Sequence, residues 1–180
     1  MNAQNDFLTG QKSFLDGNFR KSIASFSSAL EHGLEPEKGY LALGMAHLRN
    51  GDFVDAVEDF SHTLEFNDHN ELALFYRGIA HLNHADLQET IDDLSEVLTL
   101  HPEKTEALIA RFLVFKEMHK EEEAEAAMRL ALSLSGVEVE EFMRNYVLSP
   151  KLYNKALILF DVREEPWAVK LGEERRRAWN

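Results

Sequence analysis

His81 and His84 are the pair in this chain most suggestive of chemistry: three residues apart on a helix, they put two imidazoles on one side, as a zinc site requires. No third ligand is in register with them. His101 and His119 fall at predicted helix ends elsewhere, and His47 lies 34 residues before His81, an equivalence expected of half-buried packing residues. Serines cluster at Ser22, Ser25, Ser27 and Ser28 without a paired base in any recognisable order, so nucleophilic catalysis has no support. The adjacent carboxylates Glu58-Asp59 and Asp92-Asp93 sit on predicted exposed helix faces and serve solubility. Gly10, Gly44 and Gly78 recur in mid-helix, not in a strand-to-helix phosphate loop. These residues predict no catalytic set, no metal centre and no cofactor.

The elements that position these side chains follow one period. Gly17, Gly51, Ala85 and His119 are 34 residues apart, and other columns keep the same register: Phe26, Phe60, Leu94 and Met128; Leu30, Leu64, Leu98 and Leu132; Phe7, Leu41, Phe75 and Ile109. Apolar residues three and four apart divide each unit into two helices of about 13 residues, with turn chemistry between them. In the second unit the first helix spans about Glu37 to Asn50 and the second uses Val54, Val57, Phe60 and Leu64. Neither helix can bury its apolar face alone, so stacked neighbours must share a continuous core. The run Glu121-Glu122-Glu123-Ala124-Glu125 reads as the solvated first turn of a helix.

A 34-residue period with Tyr40, Leu43, Gly44, the turn Gly51-Asp52-Phe53, Ala56 and Phe60 in its second unit, and Pro102 closing the third, resembles the tetratricopeptide repeat. Departures are Thr9, Arg77 and Arg111 where a leucine is expected, and Phe112 in place of the small residue, which should widen the helix crossing or turn it toward another neighbour. The resemblance implies an all-α, right-handed α-solenoid (superhelix) of antiparallel helix pairs. Four repeats are expected at about 3–36, 37–70, 71–104 and 105–136. Residues 137–180 are expected to form a degenerate fifth helix pair and a C-terminal capping helix in the same domain, with Ser149-Pro150 and Glu164-Glu165-Pro166 as helix starts.

The same resemblance assigns the concave face to the first helix of each pair. Its lining columns are Phe7 and Gln11; Lys38, Leu41, Met45 and Arg49; Leu72, Phe75, Ile79 and Asn83; and Glu106, Ile109 and Leu113. Phe7, Gln11, Ala42 and Glu106 stand where family members that grip a chaperone carboxyl terminus have Lys, Asn and Arg, so a carboxylate clamp is not expected. The implied function is non-catalytic: a scaffold, adaptor or chaperone-like holder that takes an apolar or amphipathic segment of another protein in the groove. The alternative is a self-assembling protein whose groove is filled by its own helix from Leu152 to Phe160 or by a second copy in a homodimer.

Composition narrows the partners. The 180 residues are 44% hydrophobic and 28% charged, ordinary for a globular or solenoid unit, and contain no cysteine, which excludes a disulfide framework. Net charge is −13, and because residues 137–180 hold eight acidic and eight basic side chains, the excess lies in the repeat region and disfavours nucleic acid. Arg175-Arg176-Arg177 reads as a helix end complementing its own dipole. The first residues lack the basic start and apolar run of a secretory signal, and no stretch approaches the roughly 18 apolar residues of a membrane span. A cytoplasmic protein is expected.

Overall fold

The computed structural model describes residues 2–137 and residue 139. The expected fifth pair and capping helix, including Ser149-Pro150 and Arg175 to Arg177, lie outside the described residues. Among the described residues eight helices follow one another: α1 (Ala3–Leu15), α2 (Phe19–Glu31), α3 (Pro36–Asn50), α4 (Phe53–Phe66), α5 (Glu71–His84), α6 (Leu87–Leu100), α7 (Thr105–Glu117) and α8 (Glu121–Leu134). Each packs on its neighbours in sequence, and α3, α5 and α7 also touch in succession, so the first helices of the pairs form one layer and the second helices another. None of the described helices is long and apolar enough to cross a membrane.

The turn column explains where the helices stop. Gly17 and Gly51 have φ of 74° and 90°, and Ala85 and His119 adopt the same left-handed region at φ 71° and 57°. Behind this residue the chain closes a two-bond cap: in the second pair the Gly51 amide donates to the Leu48 carbonyl and the Asp52 amide to the His47 carbonyl. Side-chain caps start other helices, with Asn18 accepting from the Lys21 amide and Asn70 from the Ala73 amide.

Close approach within a pair rests on the glycine column. A Cβ on Gly44 would lie 2.7 Å from the ring of Phe60, a side chain with no exposed surface. The shared core runs through the first three pairs, with Phe26, Phe60 and Leu94 fully buried at equivalent positions. It divides at the fourth pair, where Leu108, Ile109, Leu113, Ala131 and Val139 form a second, smaller cluster. Phe112, which stands in the glycine column, packs half-buried against that second cluster. The one large side chain in the glycine column thus coincides with the break in the core.

Candidate partner-binding face

The first-helix layer gathers the side chains expected on the concave face into parallel stripes, because positions three, four and seven apart share a helix side. Phe7, Gln11, Met45, Phe75, Ile79, Ile109 and Leu113 are buried; Leu41, Arg49, Leu72, Asn83 and Glu106 are half-buried; Lys38 is exposed. The aromatic members are closed in by neighbours that can be named. Phe7 lies 5.3 Å from the Phe26 ring, and the Lys38 ammonium sits over its other side at 4.4 Å from the ring centroid. Phe75 meets Tyr76 edge-on at 5.3 Å, and the Lys104 ammonium stands 5.3 Å from its centroid. Arg49 spreads over Phe19 at 5.5 Å. Such cation–π contacts tie cationic side chains to apolar rings. Asn83 turns back on its own helix and donates to the Ile79 carbonyl at 2.8 Å.

Lys104 was not among the expected lining residues. It follows Pro102 in a loop, and its pairing with Glu71 of α5 is what carries it across Phe75. His101 reaches the same Glu71 through Nε2 at 2.9 Å. Nothing in the local sequence announces this clasp, which depends on the α6–α7 loop folding back onto α5.

Polar side chains link helices within and between units. His47 Nδ1 lies 2.6 Å from Asp59, and His32 Nδ1 lies 2.8 Å from Asp6. Arg77 donates two bonds to Asp93, at 3.0 and 2.6 Å, and a third to Ser61. Burial lowers the proton affinity of His47, but the hydrogen bond to Asp59 and the charges of Asp59, Asp55 and Asp52 outweigh it and hold the imidazole above its ordinary pKa. Burial raises the Asp59 carboxyl, with the bond to His47 acting against it. In the fourth pair Ala127 stands where Asp59 and Asp93 do, and the buried Nε of Arg111 has no hydrogen-bond partner while its guanidinium lies 5.3 Å from the Phe115 ring.

His81 and His84 do converge, but on a carboxylate. Their Nδ1 atoms lie 3.4 and 2.9 Å from Asp86, whose carboxyl is lowered by those two hydrogen bonds, the one from His84 first.

Against this geometry, a family model described as tetratricopeptide repeat matches residues 16–71 and 41–105, together half of the chain. The chain belongs to the tetratricopeptide repeat family. Sequence comparison with curated proteins gives no match. Among solved structures, YrrB, a tetratricopeptide repeat protein with an unusual peptide-binding site, is 17% identical with a TM-score of 0.71, covering 79% of this chain and 74% of that one. MamA is 20% identical with a TM-score of 0.68, over 93% of this chain and 96% of its own. A thermophilic tetratricopeptide repeat protein of Thermus thermophilus is 17% identical with a TM-score of 0.65, over 98% of both chains. At these identities the likeness establishes the fold, an all-α right-handed solenoid of helix pairs. A tetratricopeptide repeat solenoid supports a protein–protein interaction module.

Proposed function

We propose that this tetratricopeptide repeat chain is a non-catalytic adaptor or holder that binds an apolar or amphipathic segment of a partner protein along its first-helix layer. The observation that carries the reading is the pair of half-buried leucines on successive first helices, Leu41 of α3 and Leu72 of α5, with the cationic side chains Lys38 and Arg49 also on α3. A segment with apolar anchors three and four residues apart and carboxylates between them complements that surface. YrrB, a structural neighbour with an unusual peptide-binding site, supports the reading.

Phe75 and Ile79 are 3% and 1% exposed, so charging them would test the core, not the surface. The experiment therefore uses Leu41→Glu combined with Leu72→Glu, with helicity checked by circular dichroism, in affinity capture beside the wild type. Selective loss of one captured protein is the expected result. Retention of the same partner by a folded double variant would sink the reading.

Burial of Phe7, Met45, Phe75 and Ile79 favours a second reading, in which the face is filled from within or by a second copy. Its signature is a molar mass that rises with concentration in sedimentation equilibrium, or a wild-type chain that captures nothing.

A further inference from the structure

We propose that His47, Asp52 and Asp55, at the turn between α3 and α4, form a binding site for a divalent transition-metal ion of the zinc class. One ring nitrogen of His47 and one oxygen from each carboxylate lie within 4.8 Å of one another, and no other such group occurs among the described residues. Zinc holds nitrogen and oxygen ligands at about 2.0–2.2 Å, which places its donors roughly 3.5 Å apart. Side-chain rotation of Asp52 and Asp55 covers that difference. Three protein ligands leave a fourth position for water, and the mixture of one imidazole with two carboxylates suits zinc, cobalt or manganese better than a thiolate-seeking ion.

The surroundings orient the donors. Asp59 is 8% exposed and lies 2.6 Å from His47 Nδ1, so in the neutral ring that donates Nδ1–H to Asp59 the lone pair is on Nε2. Metal-ligating histidines characteristically have their second nitrogen fixed by such a carboxylate. Asp52 occupies the N-cap position of α4 but its side chain caps no amide, and it accepts instead from Asn50 at 2.6 Å. Asp55, in the first turn of α4, is exposed and open to an incoming ion.

The third pair provides an internal comparison, because His81, Asp86, Glu89 and Asp93 occupy the same columns. There Arg77 takes Asp93 with two hydrogen bonds, and His81 turns Nδ1 toward Asp86 at 3.4 Å with Nε2 4.0 Å from Asp93. The second pair has Leu43 in place of Arg77, so Asp59 is left to the histidine. The same residue types thus make a salt-bridge network in one unit and a converging donor set in the other.

The test is titration of the chelator-stripped full-length chain with zinc chloride by calorimetry, with cobalt absorption as a second readout. A single saturable site is expected, accompanied by a zinc-dependent rise in melting temperature. His47→Gln and Asp55→Asn should abolish it, Asp59→Asn should weaken it by about 10–100-fold, and His81→Gln should leave it unchanged. If His47→Gln loses helicity, Asp55→Asn, on an exposed side chain, decides. A shallow isotherm without saturation, zinc affinity unchanged in Asp55→Asn, or equal losses in His47→Gln and His81→Gln would overturn the assignment in favour of loose ion binding by surface carboxylates.

Discussion

Ala85 holds φ at 71° in a turn where Gly17 and Gly51 occupy the equivalent positions. For a residue with a Cβ this region costs about 1–2 kcal/mol, part of which is recovered because alanine loses less backbone entropy than glycine on folding. Ala85→Gly is therefore expected to stabilise the chain by about 0.5–1 kcal/mol, seen as a higher urea midpoint at unchanged slope; a lower midpoint would mean that the alanine methyl makes packing worth more than the strain. A second residue-scale effect belongs to His47. Its pKa in the fold is raised above the ordinary value of 6.5, so the protonated ring favours folding. That contribution is fully present below the ordinary value and is lost as pH rises through the raised one. In the presence of a chelator, the stability gap between wild type and His47→Gln should be widest on the acid side of neutrality and shrink with increasing pH. A gap that grows with pH would show that the neutral ring is the form the fold prefers.

At the scale of the helix pair, the glycine column makes a graded prediction. A Cβ at Gly44 would meet Phe60 at 2.7 Å, whereas at Gly78 the nearest atoms are Asp93 Cβ at 3.3 Å and Leu94 Cγ at 3.4 Å. Phe60 has no solvent to swing into, so Gly44→Ala forces overpacking that costs about 1–3 kcal/mol. It regains roughly 1 kcal/mol of helix propensity. Gly78→Ala gains the same propensity against contacts that need yield only a few tenths of an ångström, so it should be close to neutral, and thermal melts of the two variants check the order. Equal effects would mean that the second pair relaxes as readily as the third. The helices themselves were legible because their stops are local: the turn at Gly51 ends α3 at Asn50, as its residue types require, and the start at Pro36 lies one residue before Glu37. What was not legible is the pairing across a unit. His47 and His81 are identical in their columns, yet they meet different partners because Leu43 and Arg77 differ one turn earlier. The burial of Phe75 likewise depends on Lys104, in a loop fixed only by its distant partner Glu71.

For the whole molecule, a stack in which each helix touches mainly its sequence neighbours has a stability that sums over units and seams. The seams are unequal. Contact between α6 and α7 is the thinnest of those joining successive pairs, and beyond it lies the smaller of the two apolar clusters. Leu130, Leu132 and Leu134 at the end of α8 are between 41% and 48% exposed. Repeat solenoids open from their weakest seam, and amide exchange reads that opening directly. Amides of α7 and α8 should therefore exchange at lower denaturant than those of α3 to α6, with the difference growing as urea weakens the α6–α7 seam. If amides in α3, α5 and α7 instead share one denaturant-dependent rate, the two apolar clusters open together and the solenoid is a single cooperative unit.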